Sequence, residues 1–250
     1  MRPVCNRNDY SRNQPVCSKS TIILAILNSY PDSEPNELPG VTKDRETIVA
    51  LRQLGFTIIL IENAESKAFI EATLKRYKPS VIWLCGHGIH SEGENDFILN
   101  GFFSTNQTAR WHDDVYTINN RDINKLICGT TSATNVQFLV FDFCASKTLA
   151  MLGYFFKDGK YISNAHTNQP IIDDRSDIVI CLSAANNNST SSESALYGGE
   201  LTIFTSLLLR TCGFLSIELI DNHIKKTNSP YFLACNVEFP QHIKFAYPSY

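Results

Sequence analysis

The sequence predicts an α/β fold, a mostly parallel central sheet with helices on both faces in three layers. Three observations carry this. Short continuous apolar runs recur along the chain, the pattern of strands buried on both faces. Stretches with apolar residues at helical spacing alternate with them. Glycine or proline closes those stretches, as helix ends require. The 250 residues suffice for one large domain with a real core.

Taken in order, TIILAIL (21–27) is the first strand. A loop rich in Pro, Asp, Ser and Asn fills 28–42. KDRETIVALRQL (43–54) predicts a helix, with Ile48, Leu51 and Leu54 in phase and Gly55 ending it. FTIILIE (56–62) is a second buried strand. ESKAFIEATLKRY (65–77) is a second helix, with Phe69, Ile70, Leu74 and Tyr77 on one side and Pro79 as its stop. SVIWLCG (80–86) is the third strand, NNRDINKLI (119–127) a short helix, VQFLVFD (136–142) the fourth strand and DIVICLSA (177–184) the fifth. GGELTIFTSLLLRTC (198–212) opens with glycines and becomes a long, largely apolar helix. The centre of 145–176 carries no clear periodic pattern. Residues 1–18 read as a flexible N-terminal segment, and 19–250 as one domain.

Composition narrows the function classes. Hydrophobic residues are 43% and charged residues 19%, the balance of a globular protein. Net charge is −3 and no Lys/Arg cluster offers a phosphate-tracking surface, so no nucleic-acid partner is expected. The eight cysteines are scattered with no C-x-x-C pair, which argues against zinc. Several sit in apolar runs, as in a reduced cytoplasmic protein. The first segment is polar, and TIILAIL is too short to span a bilayer, so no membrane association is expected.

In such sheets ligands bind beyond the carboxyl ends of the strands. Just past the third strand stand Cys85, Gly86, His87 and Gly88; just past the fourth stand Asp142, Phe143 and Cys144. The first strand leads to Asp44. A thiolate with a nearby imidazole is the chemistry of acyl transfer. A glycine beside the histidine lets a backbone N–H reach a developing oxyanion without a Cβ in the way. Gly88 fits that need, with the N–H of Cys144 as second donor. Against this stands the plain reading of Cys144 and Cys85 as packed core thiols, and of Asp44 as an acid favouring its helix N-terminus.

An ordered series of motifs resembles the caspase-like cysteine peptidases, most closely the metacaspases. It comprises LPGVTKDRETIVALRQLGF, VIWLCGHGIH, NDFIL with TINNRDINKLI, VQFLVFDFCAS, and DIVICLSAANNNSTSSESALYGGELTIFTSLLL, over roughly residues 20–212. The late GGELTIFTSLLL favours metacaspases over separase-like or CHAT-type relatives. The resemblance implies a caspase-like three-layer sandwich, with His87 as general base and Cys144 as nucleophile. It places Asp44, Asp142 and Cys85 in the first specificity pocket, Cys85 standing where the family has serine. Two carboxylates suit a guanidinium or ammonium, so polypeptides cleaved after Arg or Lys are the expected substrates. A monomer is expected, and no cofactor. Calcium-binding acids of the family are reduced here to Asp96, with Asn119 and Asn120 at a paired-acid position, so weak or no calcium dependence is expected. Self-processing would fall in 145–176, at Lys147, Lys157, Lys160 or Arg175. The family's His-Ser-Gly after the nucleophile is Ala145-Ser146-Lys147, which motivates the alternative of a catalytically silent binding or regulatory module.

Overall fold

A continuous sheet of eight strands runs through the centre of the molecule. The computed structural model describes residues 22–31, 33–34, 36–91, 94–104, 115–129, 136–144, 146, 149–150, 152–164, 178–185, 214–215, 220–222, 225, 232–235 and 245–246. The expected N-terminal segment 1–18, the expected helix 198–212, Lys147 and Arg175 lie outside the described residues.

The apolar runs become strands β1 (Ile22–Leu27), β2 (Thr57–Glu62), β3 (Val81–Cys85), β7 (Val136–Asp142) and β10 (Ile178–Ser183). They lie parallel in the order β2-β1-β3-β7-β10. Beyond β10 the sheet continues with β12 (Phe232–Cys235), β8 (Tyr154–Lys157) and β9 (Lys160–Ser163), all antiparallel to their neighbours. Helix α1 (Val41–Ala50) continues as a 3-10 turn (Leu51–Leu54) and ends at Gly55, whose φ of 86° needs glycine. Helix α2 (Lys67–Tyr77) ends at Lys78, also left-handed. A four-residue helix α3 (Gly101–Ser104) and helix α4 (Asn120–Gly129) follow.

Period-two alternation splits the core into two layers. Ile23, Ala25, Leu27, Trp83 and Val140 face one side, where Val41, Ile48 and Leu51 of the α1 segment cover them. Leu24, Ile26, Leu84 and Phe141 face the other, under Ile70 and Leu74 of α2 and Ile123 of α4. Each such side chain contributes about 1.5–3 kcal/mol through burial. The three-layer α/β arrangement is thus in place, and no helix among the described residues is long and apolar enough to cross a membrane.

Four expectations need correction. β2 is an edge strand, half-covered rather than buried, with Thr57 and Glu62 exposed. Phe69 does not join Ile70 and Leu74 in the core but is 56% exposed. The segment read as a loop near NDFIL forms a small antiparallel sheet of β4 (Gly88–Ser91), β5 (Glu94–Ile98) and β6 (Thr117–Asn119). The centre of 145–176 is the hairpin β8–β9, turning at Asp158 (φ 55°) and Gly159 (φ 75°). Two successive positive φ values match the right-handed strand twist, which favours such turns. Lys157 and Lys160, expected as loop cut sites, are paired across this hairpin. The turn is anchored: the Gly159 N–H donates to Asp221 Oδ2 at 3.2 Å, and Lys225 pairs with Asp221 at 2.8 Å and Asp158 at 3.4 Å. Two further strands, β11 (Phe214–Leu215) and β13 (Phe245–Ala246), pair with each other.

Candidate active site

The carboxyl ends of β3 and β7 are adjacent, and the candidate residues stand there. Cys85 and Asp142 are register partners. One step on, the Gly86 N–H still reaches the Asp142 carbonyl at 3.4 Å. Past this ladder β3 leads into His87 and β4, and β7 into Phe143 and Cys144.

Gly88 makes the two segments touch. A Cβ there would fall inside the contact distance of the Cys144 carbonyl oxygen and the Phe143 ring. The residue after His87 is therefore packed on the backbone of Cys144. Glycine is needed here for close approach between protein segments, a different reason from the substrate access that the sequence suggests. Ile98 N–H donates to the His87 carbonyl at 2.9 Å, and Gly88 stands opposite Phe97. That makes Gly88–Phe97 a non-hydrogen-bonded pair of the ladder, with the Gly88 N–H turned away from β5.

Cys144 is partly exposed, whereas Cys85, Cys181 and Cys235, the other cysteines with described side chains, are buried. Burial pushes the Cys181 thiol up to about 12, so it stays protonated and inert. The turn carrying Cys144 is fixed on both sides. Phe143 is buried against Phe97 and Phe141, at ring distances of 4.9 and 5.6 Å. The Ala185 N–H donates to Ser146 Oγ at 3.2 Å, and the Ala184 N–H to the Phe141 carbonyl at 2.8 Å. The chain after β10 thus borders the turn of Cys144.

His87 is held by the loop after β1. Its Nε2 lies 2.7 Å from the carbonyl oxygen of Asn36. A carbonyl only accepts, so Nε2 carries the proton and Nδ1 is left with the lone pair. Its backbone N–H donates to the Tyr30 hydroxyl at 2.8 Å, and the Tyr30 ring stacks on the imidazole at 4.8 Å. The hydroxyl donates in turn to the Ile98 carbonyl at 2.7 Å, which also accepts from Asn28 Nδ2 at 3.1 Å. Burial lowers the His87 pKa, and the hydrogen bond to Asn36 partly offsets this. The imidazole is therefore poised neutral, as a general base must be.

The three proposed pocket residues meet on the α1 side of the sheet. The Cys85 thiol donates to Asp44 Oδ2 at 3.5 Å, a long contact within the range of sulfur. Asp44 sits in the first turn of α1, where the helix dipole favours a carboxylate, and is buried. Asp142 follows Phe138 and Val140 at period two, on the same face, and is also buried. All six sequence candidates thus cluster at the ends of β3 and β7 and the start of α1. The sequence reading missed Asn36, Tyr30, Asn28 and Ser146. The first three lie in what reads as an ordinary loop, and the Asn36 role uses a backbone carbonyl, which no side-chain pattern announces.

Asn119, one of the positions compared with calcium ligands, has structural work of its own. It caps α4, its Oδ1 accepting the N–H groups of Arg121 and Asp122 at 3.0 Å. Asp122 Oδ2 accepts the Asn119 N–H at 3.2 Å, completing a capping box, and pairs with Lys67 of α2 at 2.7 Å.

No protein-family model matches the chain, and no curated protein matches it. Among solved structures it is similar to protein GSU0716 from Geobacter sulfurreducens. The likeness covers 92% of this chain and 95% of that one, at 12% identity and a TM-score of 0.49.

Proposed function

We propose that the chain is a caspase-like cysteine endopeptidase, most like a metacaspase, that cleaves polypeptides after Arg or Lys. One observation carries the reading. Cys144, a partly exposed thiol at a parallel strand end, packs through Gly88 against the segment of a histidine whose tautomer is fixed by Asn36. The motif series supports the family, and the buried acids Asp44 and Asp142 beside Cys85 support a basic side chain before the cut bond.

The steps follow from the groups. Nδ1 of His87 takes the thiol proton, and the Cys144 sulfur attacks the carbonyl carbon of the scissile bond. The oxyanion is received by the N–H groups of Cys144 and Gly88. The intermediate collapses, the C–N bond breaks, and His87 returns its proton to the departing amine. Water, deprotonated by His87, then attacks the thioester, and the carboxylate product leaves as the thiol re-forms. Asp44 and Asp142 hold the arginine or lysine that precedes the cut bond.

An alkylating peptidyl ketone ending in arginine tests the reading. The expected result is one label, on Cys144, with the buried Cys85, Cys181 and Cys235 untouched in the native protein. Labelling spread over several cysteines, or labelling of Cys144 only by an aspartate-ended analogue, would contradict it.

A further inference from the structure

Tyr30 is spent on His87 to a degree that packing alone does not require. It is fully buried, yet it follows only two residues after a polar loop begins. Its φ of 52° is left-handed, a conformation that bulky residues seldom adopt. Such strain persists only where the surroundings over-determine it. Those surroundings are Asn63, whose Oδ1 accepts the Ser29 and Tyr30 N–H groups at 2.8 and 3.3 Å, and His87: the ring stacks on the imidazole with 28° between planes, and the hydroxyl accepts the His87 N–H. The hydroxyl's own proton goes to the Ile98 carbonyl. Since Ile98 N–H also holds the His87 carbonyl, both backbone groups of His87 are tied into one network through Tyr30 and Ile98. Gly86 leaves room for this, since a Cβ there would stand 2.5 Å from the Tyr30 oxygen.

We infer that Tyr30 is a positioning residue for the candidate dyad. It sets the angle and depth of the His87 ring, so that Nε2 meets Asn36 and the imidazole keeps the tautomer that the proposed proton transfer uses. Its ring also covers one face of the imidazole, contributing to the burial that keeps His87 neutral. The inference rests on the dyad reading above. It adds a residue that touches neither substrate nor nucleophile in the proposed chemistry.

Tyr30→Phe removes one oxygen and leaves the stacking ring in place. Three readings are taken on wild type and variant: turnover of an arginyl peptide, the rate at which an arginyl ketone alkylates Cys144, and the thermal melt. For the variant we expect kcat to fall roughly 10-fold to 100-fold with KM little changed, because a buried N–H loses its acceptor beside the base. The labelling rate, which depends on the thiol proton reaching His87, should fall in parallel. A purely structural Tyr30 would lower the melting point while leaving kcat per alkylatable site and the labelling rate as in wild type, and that result overturns the proposal. A wild type with neither turnover nor labelling of Cys144 by the arginyl ketone would instead sink the dyad reading itself, so the two failures are told apart.

Discussion

Gly88→Ala adds one methyl group at a point where two segments of the candidate site have no room for it. The backbone of Gly88 is not left-handed, so alanine is allowed there conformationally. The effect is then one of contact alone. The new Cβ would press on the Cys144 carbonyl oxygen and on two atoms of the buried Phe143 ring. Neither neighbour yields easily: one is backbone, and the other is wedged between Phe97 and Phe141. Restoring ordinary contact requires the segments to part by about 1 Å, and a displacement of that size costs roughly 100-fold in rate. Overpacking of this kind costs about 1–3 kcal/mol in stability. The assay is turnover per alkylatable Cys144, beside a thermal melt. Gly159→Ala is the control. Its φ of 75° strains an alanine, but nothing lies within 4 Å, so it should cost about 1 kcal/mol and leave turnover intact. A Gly88→Ala protein with wild-type turnover would refute the claim that this contact sets the position of Cys144.

Two further outcomes follow from charge and capping. Because burial holds the folded His87 pKa below the ordinary 6.5, the unfolded state binds more protons between those two values. This group's contribution to stability is therefore present in full above pH 6.5 and lost as pH falls through the folded pKa. Melts of wild type and His87→Gln across that window measure it, and the acid limb of kcat/KM should inflect below 6.5. Asn119→Ala should cost about 1 kcal/mol through the lost cap, and Asp122→Ala more, about 2–4 kcal/mol, because it also strands Lys67, which is only 15% exposed. Urea unfolding checks both, and neither should alter the arginyl-peptide specificity.

The sequence was most readable where one physical signal dominated. VQFLVFD is a strand over the full predicted span because the six residues before Asp142 hold no turn former and have little else to become in a large α/β domain. Asp142 and Cys144 were legible for the same reason, since a strand end fixes where the next side chains emerge. The small sheet was not legible: GIHS, ENDFI and TIN are too short and polar to show a period of two. The β8–β9 hairpin carried a signal that was passed over, Asp158-Gly159 between YFFK and KYIS, the residue pair that two positive φ values prefer. Phe69 misled because helical spacing gives a face but not its width. Asn36 and Tyr30 act through a backbone carbonyl and a strained loop conformation, and both properties exist only once the chain is folded.

The most direct measurement is cleavage of short fluorogenic peptides ending in arginine, lysine or aspartate, by wild type and by Cys144→Ala. The dyad and the acidic pocket together require turnover after arginine and lysine that vanishes in the variant. Turnover after aspartate alone would keep the nucleophile and discard the roles given to Asp44 and Asp142. No turnover by wild type, or equal turnover by both proteins, would contradict the peptidase assignment.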